Sequence, residues 1–372
     1  MNHGWEKNKL GDICQINFGK RIVAKDTLSG PYYVYGGGGA TFSTMDYNRE
    51  NCMIVSRFAM SPECVRFVRG RFFLNDSGLS VQSIKESLTQ KFVDKYLWAI
   101  QPRIYSLGRG AAQKNLNTKS FSELPIPIPA VDVQLKIVSE LDKLNELIEI
   151  KRKQLKDLDT LVQSLFYETF GEPFLNSMGW SIMSFGELAS SINYGTSLPA
   201  TDGGKYPYIR MNNLTDNGYL DLLNLKYIDI PDAELDKCLV KKCDILFNRT
   251  NSREKVGKTA LFDRNEEMVI AGYIIRVRAK SKILNPVFAV RYMNLPEMKE
   301  HLRKICRGAV NQANINSKEM ASIPFLVPPI ELQNQYALKI EAIEEQKRLI
   351  ESSIADLETL LASRMDYWFN EI

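Results

Sequence analysis

The chain has 372 residues, of which 44% are hydrophobic and 25% charged, and a formal net charge of +4. That length suits two domains rather than one core, and the balance of residues excludes a disordered or fibrous chain. No stretch approaches the roughly 18 unbroken apolar residues of a membrane span, and six cysteines without a Cys-x-x-Cys pair, beside only His3 and His301, offer no ready zinc site.

The N-terminus, Met1-Asn2-His3-Gly4-Trp5-Glu6-Lys7, has no apolar run and is not a secretory signal, so the expectation is a cytoplasmic protein with reduced thiols. Charge is uneven along the chain. Residues 1–130 hold 17 Lys/Arg against 10 Asp/Glu, whereas residues 131–172 hold 6 against 9. Residues 173–330 return to 21 against 16, and residues 331–372 fall to 4 against 9. Two basic regions separated by acidic ones suggest two polyanion-binding units joined by segments that do not touch the polyanion.

In the first basic region, Arg57 through Arg71 is dense in arginine, with Arg66, Arg69 and Arg71 interleaved with Phe67, Phe72 and Phe73. Cys64-Val65-Arg66-Phe67-Val68-Arg69 alternates apolar and basic residues, which predicts a strand with one buried face and several guanidinium groups on the other. Arg57, Arg66, Arg69 and Arg71, with Arg109 and Lys114 further on, are therefore candidate DNA contacts. The Pro-rich run Pro125 to Pro129 ends this region, and an apolar seam follows at alternating steps of three and four: Ile137, Leu141, Leu144, Ile148, Leu155, Leu158, Val162 and Leu165, with Gln134 and Lys151 in the same register. Such a seam over four heptads predicts a long helix that buries a stripe against a partner helix. Phe170-Gly171-Glu172-Pro173 stops it.

The second basic region holds the polar cluster Arg210-Met211-Asn212-Asn213. Further on, the apolar Ile245-Leu246-Phe247 leads into Asn248, Arg249, Thr250, Asn251, Ser252, Arg253, Lys255 and Lys258. Arginine can reach guanine and asparagine adenine through paired hydrogen bonds, while Ser, Thr and Lys suit phosphates. Arg210, Asn212, Asn248, Arg249, Asn251, Ser252, Arg253, Lys255, Lys258 and Arg307 are the candidate DNA contacts here. After Pro324 to Pro329 a second seam runs from Gln333 through Tyr336, Ile340, Ile343, Lys347, Ile350, Ile354, Leu357 and Leu361 to Arg364.

The two halves also match in detail. Gly4-Trp5 recurs as Gly179-Trp180, Ile16-Asn17-Phe18-Gly19 as Ile192-Asn193-Tyr194-Gly195, and Asn115-Leu116-Asn117 as Asn314-Ile315-Asn316. Arg109-Gly110-Ala111 answers Arg307-Gly308-Ala309, and Gln134 answers Gln333. An internal duplication is expected. Features that would signal an enzyme fall short. Tyr35-Gly36-Gly37-Gly38-Gly39 is not followed by Gly-Lys-Ser/Thr as a phosphate loop requires, and no Ser/His/Asp set is available. No catalytic residue, metal ligand or cofactor is expected.

The order domain, helix, domain, helix, with Tyr33-Val34-Tyr35-Gly36-Gly37, Asp244-Ile245-Leu246-Phe247-Asn248-Arg249 and Gly257-Lys258-Thr259-Ala260, resembles type I restriction-modification specificity subunits. The resemblance implies an α+β chain in which two α/β target-recognition domains (residues 1–130 and 173–330) are joined by two spacer helices (131–172 and 331–372). The helices would pack antiparallel as an intramolecular coiled coil, giving a pseudo-twofold internal repeat. It further implies that each domain reads one half of an asymmetric bipartite DNA site. Two modification subunits would carry S-adenosylmethionine and methylate adenine, and restriction subunits would use ATP to translocate and cut. The alternative is a stand-alone DNA-binding or architectural protein that dimerises through its helices.

Overall fold

The computed structural model describes residues 4–309 and 312–369; His3 lies outside them. The chain divides into two compact units, Met1–Lys153 with Glu351–Ile372, and Gln154–Ile350. Both mix sheets and helices, and none of the described helices is long and apolar enough to cross a membrane.

In the first unit the aromatic and β-branched segments build a six-stranded sheet. Its order is Cys14–Phe18, Gly78–Ser83, Arg49–Ser56, Val65–Leu74, Tyr32–Gly36 and Gly39–Thr44. Neighbours are antiparallel except Tyr32–Gly36, which runs parallel to Val65–Leu74. The helix Gln90–Ala99 buries Phe92, Val93, Tyr96 and Leu97 in a core shared with Met53, Val55, Leu79 and Val81. A separate ribbon pairs Glu6–Lys9 with Pro125–Ile128, and the Tyr96 hydroxyl donates to the Pro125 carbonyl.

Asp94 on that helix is buried and accepts a hydrogen bond from Gln90 Nε2 at 2.8 Å. Burial outweighs the Gln90 bond and the Lys95 charge, and raises its carboxyl from the ordinary 3.8 to about 6. Between those values the folded chain holds a proton that the unfolded chain releases, so stability falls as pH rises through the window and stays reduced above it. Asp94→Asn is expected to stabilise the first unit at pH 8 by on the order of 2–3 kcal/mol, with the gain vanishing below about pH 4. Thermal melts of both proteins across pH 3.5–8 read this; a gain independent of pH would refute it.

Two helices of 40 residues, Val131–Phe170 and Ile330–Phe369, contribute to both units. None of the twenty seam positions is exposed. In the first unit, Ile137, Val138, Leu141 and Ile148 share a core with Leu361, Trp368 and Phe369. Arg364 bonds both oxygens of Glu140, and Arg152 donates to Glu358 at 2.8 Å. One helix number rises as the other falls, so these segments run antiparallel.

In the second unit, Val162, Phe166 and Phe170 meet Tyr336, Ile340 and Ile343, again antiparallel. The ammonium of Lys347 reaches Asp159 at 2.7 Å and Glu344 at 3.5 Å. Gly171 ends the first helix with φ of 77°, a left-handed conformation that a side chain would strain, and its N–H returns to the Tyr167 carbonyl at 2.9 Å.

The first position of each seam behaves differently from the rest. Gln134 and Gln333 are fully buried, yet they turn toward their own domains rather than along the helix pair. Gln134 accepts from the Thr89 N–H at 2.8 Å and donates to the carbonyls of Ser87 (2.7 Å) and Pro129 (2.8 Å). Gln333 accepts from the Asn285 N–H at 2.9 Å and donates to the carbonyls of Ile283 (3.1 Å) and Pro328 (2.8 Å). Each amide is saturated, as a buried polar group requires.

The rest of the second unit holds two four-stranded sheets. One is antiparallel, in the order Ala189–Tyr194, Ile274–Ala279, Ile245–Asn248, Thr259–Leu261; the other runs Lys226–Ile228, Tyr206–Ile209, Met268–Ile270, Leu239–Val240. A small three-stranded sheet orders Thr250–Asn251, Gln312–Asn314 and Arg307–Ala309. The helix Pro286–Met293 packs Phe288 and Tyr292 into the core that receives Phe166 and Phe170. Tyr206, Tyr208, Ile209 and Phe262 belong to a second core.

Candidate nucleic-acid interface

In the second unit, the strand Ile245–Asn248 is buried throughout and delivers the polar loop. The loop is closed at its base by two backbone bonds of 2.8 Å, Asn248 N–H to the Lys258 carbonyl and Gly257 N–H to the Asn248 carbonyl. Gly257 has φ of 81°, and a Cβ there would lie 2.5 Å from Leu302 Cδ1, so glycine is required at the close approach. Ser252 accepts from the N–H groups of Lys255 and Val256, and Thr250 Oγ1 donates to Asn314 Oδ1 at 3.0 Å. The loop is therefore pre-ordered by its own bonds.

This arrangement separates the candidate residues. Arg253 and Lys255 are exposed; Arg249, Asn251, Ser252 and Lys258 are half-buried. Arg253 donates through Nε and Nη2 to the Arg303 carbonyl at 3.3 and 3.2 Å. Lys258 pairs with Asp216 at 3.0 Å, and exposed Arg307 pairs with Glu319 at 2.6 Å. Asn248 departs from the expectation: it is fully buried and accepts from the Thr250 N–H at 3.4 Å. At the end of a core strand its amide oxygen orders the start of the loop, while its Nδ2 has no hydrogen-bond partner among the described residues. Arg210 is half-buried, its Nη2 donating to the Asn224 carbonyl at 3.4 Å, and Asn212 is exposed.

Sequence inspection missed Lys299. Its ammonium donates to the Gly257 carbonyl at 2.8 Å under the loop. Burial, reinforced by Lys258 and Arg303 and opposed by Asp216, lowers it from 10.5 to about 7. It also missed Asp244, whose carboxylate, buried just before the strand, holds Arg278 at 2.9 Å.

In the first unit, Val65–Leu74 does not alternate as expected. Val65 faces one core, while Val68, Phe72 and Leu74 face another on the opposite side of the sheet. The register with Arg49–Ser56 shifts between Glu50 and Cys52, where Asn51 takes φ of 44° and accepts from the Gly70 N–H at 2.7 Å. The arginines consequently do not share one free face. Arg66 donates to the Gly37 and Glu63 carbonyls, and Arg71 pairs with Glu50 at 3.5 Å and lies over Tyr47. Arg69 and Arg109 are exposed, and Lys114 lies 4.1 Å from the Tyr105 ring centre. Arg57 is half-buried, its guanidinium between the rings of Phe18 and Phe58.

Among the described residues no group of three or more His, Cys, Asp or Glu is placed to hold a metal ion. All six cysteines are free thiols. Both units thus carry exposed basic side chains, Arg69 and Arg109 in the first and Arg253, Lys255 and Arg307 in the second, the donor chemistry that phosphates and base edges accept.

The family described as type I restriction modification DNA specificity domain matches residues 2–160 and again residues 178–359. The chain belongs to this family. It carries two copies of the domain, one for each basic region. Among curated relatives, the MjaX specificity subunit of Methanocaldococcus jannaschii (a putative type I restriction enzyme) is 27% identical over 42% of this chain. The type I restriction enzyme EcoKI specificity subunit of Escherichia coli K12 is 21% identical over 68% of it. The chain spans 38% and 57% of the lengths of these two relatives. The crystal structure of a type I restriction-modification S subunit from M. genitalium has the same fold, with a TM-score of 0.59 at 17% identity over 99% of this chain and 96% of that one.

Proposed function

We propose that this specificity-domain protein is the DNA sequence-specificity subunit of a type I restriction-modification complex and does no chemistry of its own. The observation that carries the reading is the double family match, one copy per basic region, each with exposed basic residues. Residues 1–130 and 173–330 are the two target-recognition domains, and 131–172 and 331–372 the spacer helices. Seams without an exposed position, and antiparallel contacts within each unit, support pairing of the helices as one intramolecular coiled coil related by a pseudo-twofold repeat.

Each domain reads one half of a bipartite site, and the rod sets the spacing. At ~1.5 Å per residue a 40-residue helix is about 60 Å long, one to two turns of duplex at ~34–36 Å per turn. Because the loops of the two domains differ, the half-sites differ. Two modification subunits dock on the assembly and supply S-adenosylmethionine chemistry at adenine; restriction subunits complete the cutting form.

Mapping methylated adenines in DNA from cells that express a modification subunit, with and without this chain, tests the reading. A split target of two unlike parts, methylated only when the chain is present, is the expected result. Methylation of a continuous site, or methylation indifferent to the chain, would sink it.

A further inference from the structure

Arg57 and Arg249 occupy the same place in their respective units, to a degree the surrounding loops do not. Arg57 follows the strand Arg49–Ser56; its N–H donates to the Ser77 carbonyl at 2.8 Å, and its carbonyl accepts from the Leu116 N–H at 2.8 Å. Its Nη1 donates to the Asp76 carbonyl at 3.3 Å, and the guanidinium carbon lies 4.8 Å from the centre of the Phe18 ring. Arg249 follows the strand Ile245–Asn248; its N–H donates to the Tyr273 carbonyl at 2.9 Å, and its carbonyl accepts from the Ile315 N–H at 2.9 Å. Its Nη1 donates to the Gly272 carbonyl at 3.4 Å, and its guanidinium carbon lies 5.0 Å from the centre of the Tyr194 ring.

The partners correspond in sequence as well. Phe18 and Tyr194 hold the third place of the repeated Ile-Asn-aromatic-Gly, and Leu116 and Ile315 the centre of the repeated Asn-x-Asn. Both rings are exposed, at 48% and 40%. A guanidinium held by one nitrogen and stacked on a ring loses rotamer freedom before any ligand arrives, yet keeps its full charge and further donors.

Arg57 alone has a second ring, Phe58 at 4.6 Å, but a residue held in two lobes by the same backbone bonds and the same ring of the repeat is ill suited to telling two unlike half-sites apart. It suits what every DNA segment shares. We propose that Arg57 and Arg249, with Phe18 and Tyr194 as their platforms, are the matched sequence-independent phosphate contacts of the two recognition domains. The inference rests on the functional reading above and assigns the shared part of each contact surface, leaving base discrimination to the loops that differ.

The test uses the chain assembled with its modification subunits, and fluorescent duplexes with and without the methylated target. Arg57→Gln and Arg249→Gln are each expected to weaken binding to both duplexes by the same factor, about tenfold. Each should flatten the slope of log affinity against log salt by about 0.9, and the two losses should add in the double variant. The methylated sequence should stay unchanged, and Arg→Lys at either position should restore the slope. Relaxed base preference in one half-site would make the arginine a base reader and overturn the proposal. A lower melting temperature with an unaltered salt slope would make it a structural pin and overturn it equally. An unsubstituted complex without site preference would sink the functional reading instead, while equal losses on unrelated DNA would still support the phosphate contact.

Discussion

Asp244→Ala should destabilise the second unit by about 3–5 kcal/mol, the cost of removing one partner from a buried ion pair. Asp244 is 3% exposed and accepts from Arg278 at 2.9 and 3.4 Å and from the Lys241 N–H at 2.8 Å. Arg276, 1% exposed, brings its Nε to 3.9 Å. Burial, and then the charge of Arg278, already push the Arg276 guanidinium below its usual range, with Asp244 the leading opposing influence. Without the carboxylate, two guanidinium groups on the strand Ile274–Ala279 face each other with no counter-charge between them. Asp244→Asn keeps an acceptor for the Lys241 N–H and should cost less. Urea unfolding followed by tyrosine fluorescence and circular dichroism reads both; a loss under about 1 kcal/mol for the alanine variant would show that the pair relaxes into water instead. Because Asp244 directly precedes Ile245–Asn248, a folded variant should also lose placement of the 249–258 loop.

A comparable loss is expected from Phe166→Ala, about 3–5 kcal/mol for a large aromatic removed from a packed core. Phe166 is 1% exposed and its ring lies 5.1 Å from Phe170, 5.6 Å from Phe288, 6.1 Å from Tyr292 and 5.8 Å from Tyr336. These rings come from both long helices and the helix Pro286–Met293, so no single element can move to fill the space. Phe166→Leu keeps most of the volume and should cost less than half as much. Equal losses for the two variants in thermal or urea unfolding would show that shape, not volume, governs this cluster.

The helices were legible because period 3.5 is a local property. The seams from Gln134 and Gln333 contain no exposed position in the folded chain. The role of their first residues was not legible, because spacing places a residue on a stripe without saying which neighbour claims its amide. Sheet order was not legible. The pairing of Val65–Leu74 with both Arg49–Ser56 and Tyr32–Gly36 is non-local, and the strand buries side chains in two cores, Val65 in one and Val68, Phe72 and Leu74 in the other, so simple alternation does not describe it. The candidate surface was half legible. Residue inventory found the loop at 248–258 but could not tell that Asn248 turns inward. The repeated Ile-Asn-aromatic-Gly was visible from the start, yet only folding showed that its ring carries an arginine distant in sequence.

The two buried glutamines bear on how such a chain can change. Each socket asks of its domain one backbone amide and one backbone carbonyl, supplied by Thr89 and Ser87 in one case and by Asn285 and Ile283 in the other, and the Thr89 hydroxyl adds a third bond at 3.0 Å in the first. Apart from that hydroxyl, the partners are main-chain groups, which are indifferent to side-chain identity. A foreign domain that bends its chain the same way at that corner would find the same seat, so each glutamine would let its own domain be exchanged without changing the helix that carries it.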